Sequence, residues 1–122
     1  MAERATPVLR ASATDAALEP DPLAPAQIVA GAPETSSLVL ACSEDGAESG
    51  IWRCTPGSFR DLEVDETFVV LEGRATIAHP GGEVEVGPGD VCRLAAGTET
   101  LWTVHETLLK GYRLAAPRDP SA

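Results

Sequence analysis

The side chains on which chemistry could rest here are few: two histidines, three cysteines, and a carboxyl-terminal set of aromatic, hydroxyl and cationic residues. Cys42, Cys54 and Cys92 are odd in number and widely spaced, with no Cys-x-x-Cys pair for zinc or thiol–disulfide work. Free cysteine is mostly a small buried hydrophobe, and Cys54 and Cys92 read as packing residues on that ground. His79 stands beside Pro80 in a turn, and neither it nor His105 is tied by spacing to a nucleophile, so both read as surface residues. Gly87-Pro88-Gly89 precedes no helix and reads as a turn, without the phosphate-cradling context such glycines need. Between residues 100 and 105 strict alternation puts Thr100, Trp102 and Val104 on one face and Leu101, Thr103 and His105 on the other. Further on, Lys110, Tyr112 and Leu114 share a face in the same way.

The elements that would position these residues are short strands. Candidates run from Ser37 to Cys42, Gly50 to Thr55, Thr67 to Leu71, Arg74 to Ala78, Glu83 to Val86, Asp90 to Leu94, Thr100 to Val104 and Leu108 to Leu114. Turn sequences separate them: Ser43-Glu44-Asp45-Gly46, Pro56-Gly57, Glu72-Gly73, Pro80-Gly81-Gly82, Gly87-Pro88-Gly89-Asp90 and Ala96-Gly97. Glu72-Gly73 reads as the reversal that leads into the Arg74 strand. No 3.6-residue apolar stripe persists, and only Leu23 to Val29 has room for a short helical turn. Regular strands with frequent turns make an all-β barrel or sandwich. Residues 1–27, with Pro7, Pro20, Pro22 and Pro25, read as a flexible or extended arm. Residues 28–116 are the barrel and 117–122 a tail.

Bulk properties narrow the function classes. A chain of 122 residues holds one core. Aromatics make up only 4%, so Val, Leu, Ile and Ala must build most of the interior. The formal net charge of −10 excludes nucleic acid as a partner, because phosphate contacts need clustered Lys and Arg. Its acids are spread along the chain, which suits solubility and self-repulsion. No apolar run approaches the ~18 residues of a membrane helix. Met1-Ala2-Glu3-Arg4 opens no signal-peptide pattern, so the expectation is a cytoplasmic protein without a membrane partner.

Gly50-Ile51-Trp52, Pro56-Gly57-x-Phe59, Asp65-Glu66, Val70-Leu71-Glu72-Gly73, Gly87-x-Gly89-Asp90, Ala96-Gly97, Trp102-x-Val104 and Lys110-x-Tyr112 follow one another in an ordered series. That series resembles the cupin superfamily, and more closely the single-domain branch related to the cupin domain of (S)-ureidoglycine aminohydrolase. Ile28 to Gly31 and Ser43-Glu44-Asp45-Gly46 fit the same branch, so the resemblance covers roughly residues 27–114. It implies a single-domain jelly-roll β-barrel behind a mostly extended arm, and a homodimer that pairs through its sheets.

Metal-binding cupins carry His-x-His, a Glu, and a Gly seven residues after the Glu; the resemblance puts Glu66 and Gly73 at the last two positions. The histidine positions fall on Phe59 and Asp61, or on Arg60 and Leu62, and a further histidine position on Thr100. One ligand of four survives, too few for a transition metal. Glu66 with Asp61 or Asp65 would favour a hard cation, if any. The expectation is therefore no metal and no cofactor.

A carboxylate inside a small barrel requires a partner, for which Arg60, Arg53 and Lys110 are the candidates. Glu66 then reads as the acid or base of a pocket flanked by Trp52, Arg60, Thr100, Trp102, Lys110 and Tyr112. The alternative is a structural ion pair in a filled barrel. Three functions follow: a module binding a small polar molecule such as an acid or sugar, a metal-dependent aminohydrolase, or a structural dimer.

Overall fold

The computed structural model describes residues 7–117. Nine strands follow in order: β1 (Glu19–Pro20), β2 (Ile28–Gly31), β3 (Thr35–Cys42), β4 (Glu48–Cys54), β5 (Gly57–Leu62), β6 (Glu66–His79), β7 (Gly82–Val86), β8 (Val91–Leu94) and β9 (Glu99–Leu114). All pairings are antiparallel.

The architecture turns on β6 and β9, which are 14 and 16 residues long. The first half of β6 pairs with the last half of β9, from Glu66–Leu114 to Val70–Lys110. There β9 continues into β4, β3 and β1, and β6 continues into β8. The second half of β6 pairs with the first half of β9, from Ala75–Val104 to Ala78–Leu101. In that section β9 continues into β5 and β2, and β6 into β7. One continuous sheet thus has two sections that share their middle strands and curl into a half-barrel of jelly-roll type.

The bend lies between Val70 and Ala75, where the β6–β9 register shifts three times. Gly73 has a φ of 86°, and a Cβ there would sit 2.0 Å from the carbonyl oxygen of Thr107. Only glycine fits such a close approach. Here the sequence reading is corrected: Glu72-Gly73 does not reverse the chain but bends one strand, so the two expected strands are one. The expected strands at Thr100–Val104 and Leu108–Leu114 are likewise halves of β9. Strands β1, β2 and β5 are not among the expected ones: β1 is two residues long, β2 four exposed residues, and β5 turns only one apolar residue, Phe59, inward.

Register sets the inner face. Trp52 on β4 stands opposite Lys110, Phe68 on β6 opposite Tyr112, and Phe59 on β5 opposite Trp102, which in turn faces Ile77. Around them Cys54, Val70, Ala75, Val86, Leu94, Val104 and Leu108 complete the buried core. Within the arm, Glu19–Pro20 pairs with Ser36 and Ser37, and Pro25–Gln27 form a 3-10 turn inside the stretch expected to hold one. Residues 1–6 of that arm and 118–122 of the tail lie outside the described residues. No helix among the described residues is long and apolar enough to cross a membrane.

Candidate functional site

One end of the curled sheet holds a cavity of about 350 Å3. Aromatic walls come from Trp52, Phe59, Trp102 and Tyr112; Asp21 and Leu23 close it from the arm side. Asp21 is held there by its backbone, whose N–H donates to Thr35 O and whose carbonyl accepts from the Thr35 hydroxyl.

At its centre Lys110 Nζ lies 2.7 Å from Glu66 Oε2. Both side chains are more than nine-tenths buried, with 7% and 9% of their area exposed. The pairing follows from register: Glu66, Phe68, Tyr112 and Lys110 share the inner face, and the pair spans it diagonally. The ammonium also sits 4.5 Å from the ring centres of Trp52 and Phe68 and 5.0 Å from that of Trp102. Aromatic faces carry negative quadrupole density and attract a cation at such distances. Lys110 is the only Lys or Arg among the described residues that lines the cavity.

A second buried carboxylate, Glu63, lies in the connection between β5 and β6 and is only 6% exposed. Its Oε2 accepts from the Thr100 hydroxyl at 2.7 Å and from Trp102 Nε1 at 3.0 Å. Its backbone is pinned as well, with N–H donating to Thr98 O and carbonyl accepting from Gly97 N. Burial pushes the Glu63 carboxyl above its ordinary range, outweighing the Thr100 and Trp102 hydrogen bonds that pull it down. Asp61 also lines the cavity, and burial raises its carboxyl too. Tyr112 donates to Glu48 Oε2 at 2.7 Å; burial and that carboxylate keep its phenol protonated well above the usual range.

The stretch around Glu63 inverts the usual pattern. Leu62 and Val64 point outward, 66% and 54% exposed, while the carboxylate between them points in. Leaving the two apolar chains in water forgoes roughly 1–2 kcal/mol each. Desolvating the carboxylate adds to that. Sequence reasoning missed Glu63 for this reason: alternation alone would turn Leu62 and Val64 inward.

Of the residues expected to form a pocket, the structure brings Trp52, Glu66, Trp102, Lys110 and Tyr112 together on one cavity. Arg60 is not among them. It alternates with Phe59 and Asp61 on β5, is exposed, and borders a separate outer groove of about 760 Å3, where its carbonyl accepts from Gln27 Nε2. Thr100 is buried but borders that groove rather than the cavity, and its hydroxyl is engaged by Glu63. Glu66 selects Lys110 from its three candidate partners.

Neither set of positions matched to metal ligands forms a donor set; Arg60 and Leu62 are both exposed. Phe59 stacks on Trp102 with ring centres 5.9 Å apart and planes 8° from parallel. Thr100 is bonded to Glu63, and Glu66 to an ammonium. No three His, Cys, Asp or Glu among the described residues are grouped so as to hold a metal ion. His79 and His105 are both exposed; one accepts from Gly81 N and the other bonds the Thr76 hydroxyl. Burial raises the Cys54 thiol to about 11 and also raises Cys92, as suits packing residues, while Cys42 is exposed.

Comparison with known proteins agrees with this architecture. A family model described as the EutQ-like cupin domain matches residues 43–112, more than half of the chain. No curated protein matches. A protein of unknown function from Pseudomonas syringae pv. tomato superposes with a TM-score of 0.76 at 24% identity, over 83% of this chain and 45% of that one. The present chain therefore spans less than half of that relative's length. The Schizosaccharomyces pombe Cnp3 cupin domain superposes at 0.67 and 12% identity, covering 87% of this chain and 72% of its own. A putative ethanolamine utilization protein Q from Salmonella typhimurium gives 0.59 at 21% identity and 72% coverage of each chain. At such identities the likeness carries the fold alone.

Proposed function

The chain belongs to the EutQ-like cupin domain family, and from that premise we propose that it binds a small polar molecule in the barrel cavity, without a transition metal. The observation that carries this reading is the Glu66–Lys110 pair, held at 2.7 Å on the wall of a cavity of about 350 Å3 among Trp52, Trp102 and Tyr112. A barrel that served only as a scaffold would fill this space with apolar side chains, because a buried ion pair contributes little to stability against a hydrophobic replacement. An open cavity with a few convergent polar groups on aromatic walls is the usual form of a small-molecule site.

The resemblance to the ureidoglycine aminohydrolase branch implies a second reading, a metal-dependent hydrolase. Its catalytic metal would have to be held at Glu66 and Thr100 together with Phe59 and Asp61, or with Arg60 and Leu62. Those side chains do not fit it, and no step is derived through it. The two readings separate in a thermal-shift screen of ureides, sugars, small acids and amines, run with and without manganese or zinc. A bound molecule stabilises the fold by mass action. Stabilisation by at least one organic molecule without added metal, abolished in Glu66→Gln, is the expected result. Stabilisation only in the presence of metal, or equal stabilisation of Glu66→Gln, overturns the proposal.

A further inference from the structure

We infer that the molecule taken by this cavity carries a positive charge, as a small organic ammonium or guanidinium compound. The inference rests on the reading of the cavity as a binding site and specifies the class of its occupant.

Charge balance is the first observation. Asp21, Glu48, Asp61, Glu63 and Glu66 line the cavity, against Lys110 alone, and Lys110 is already matched to Glu66. An anion entering here would meet an excess of carboxylate at short range, and the cation needed to bind it is engaged. Arg60, which could have supplied a second positive charge, faces the outer groove.

The second observation is independent of that count. Glu63 is 6% exposed, yet only its Oε2 receives hydrogen bonds, from Thr100 and Trp102. Among the described residues no side chain donates to Oε1 of Glu63, and the same holds for Oε1 of Glu66. Both side chains line the cavity. Ionised carboxylates accept at both oxygens and call for donors. No sealed side-chain oxygen among the described residues lacks a partner, so each Oε1 is open to solvent, where a donor on an entering molecule can take the place of water.

The third is the local inversion at Leu62-Glu63-Val64, where a carboxylate is turned inward and two apolar chains outward. Stability alone would reverse that choice, and such breaks in patterning mark functional positions. The walls suit the same occupant. Trp52, Phe68 and Trp102 already hold one ammonium 4.5–5.0 Å from their ring centres. Phe59 and Tyr112 extend the aromatic lining on which an organic cation can rest.

The test uses three probes of matched length on the whole chain: butane-1,4-diamine, butane-1,4-diol and succinate, by isothermal titration calorimetry at low ionic strength and neutral pH. The diamine is expected to bind at least about tenfold more tightly than the diol, with succinate weakest. Added salt should weaken the diamine and leave the diol unchanged. Glu63→Gln keeps the shape and removes one charge; it should weaken the diamine about tenfold or more with little effect on the diol. Asp61→Asn makes the same test if Glu63→Gln does not fold. Diol or succinate binding as tightly as the diamine overturns the charge assignment while leaving the cavity as a binding site. So does unchanged diamine affinity in both variants. Failure of all three probes to bind also overturns it, and the cavity reading then stands or falls by the wider screen.

Discussion

Replacing Lys110 with methionine keeps a long flexible stem against the rings of Trp52, Phe68 and Trp102 but removes the ammonium. Glu66 is then left 9% exposed with no counter-charge within reach, since Arg53 and Arg60 both lie on the exposed side of their strands. Removing one member of a buried ion pair typically costs about 3–5 kcal/mol, because the surviving charge has lost its solvation without compensation. The lost ring contacts add about 1 kcal/mol. For a domain whose total stability is of order 5–15 kcal/mol, this is a large fraction. Replacing both members, as Glu66→Leu with Lys110→Met, removes the orphaned charge and recovers most of the loss. Urea unfolding followed by tryptophan fluorescence measures all three proteins, and the double variant reports even if the single one does not fold. A loss below about 1 kcal/mol in Lys110→Met, or a double variant no more stable than the single, refutes the picture of a desolvated pair on the cavity wall.

The remaining expectations concern the groups around that pair. Glu63 is raised by burial, so the folded chain holds its proton more tightly than the unfolded chain does. Its contribution to stability is therefore greatest below the ordinary carboxylate value of about 4 and declines as pH rises towards the raised folded value. Glu63→Gln should accordingly lose less stability than the parent chain between about pH 4 and about pH 8, read as urea midpoints; identical slopes contradict the assignment. Thr100→Val removes one of the two donors to Glu63 Oε2. It should cost about 1–2 kcal/mol and steepen the same pH profile, whereas a neutral effect would mean that the hydrogen bond contributes nothing. Gly73→Ala places a Cβ against the Thr107 carbonyl at a φ of 86° and should lower stability by at least about 2 kcal/mol, visible as a fall in Tm. An unchanged Tm would mean that the bend relaxes freely.

What the sequence reveals and what it hides divide along physical lines. Glycine and aspartate turns punctuate the chain clearly, and every expected strand lies within a few residues of an observed strand or of half of one, while β1, β2 and β5 leave no such trace. Gly73 is the instructive exception, because the same residue that permits a reversal also permits a bend. The distinction depends on Thr107, 34 positions away, whose carbonyl crowds it. Alternation on β9 correctly puts Trp102, Lys110 and Tyr112 on the inner face, since a strand has only two sides. Arg60 could be placed only by knowing that β5 is a strand, and a strand with one inward apolar residue leaves little trace. Glu63 is the least legible, because its inward position runs against the local hydrophobic pattern. Charge composition misleads in a related way: acids spread evenly along the chain look like a solvated surface, yet several of them converge once the sheet curls.

The central place of β9 also bears on the order in which the molecule can be made. Strands β4, β5 and β6 precede it in the chain, and each finds its partner on β9. The hairpins β3–β4 and β6–β7 can close early, from neighbouring segments. Neither section of the sheet can be joined until the ribosome has added residues 99–114. Until then Phe59 and Phe68 wait without the strand that covers them, in a chain dominated by non-local pairing and so slow to collapse correctly. Strand β9 acts as the member that joins both sections of the sheet. Any chain truncated within it should emerge as an aggregation-prone set of hairpins rather than as a smaller barrel.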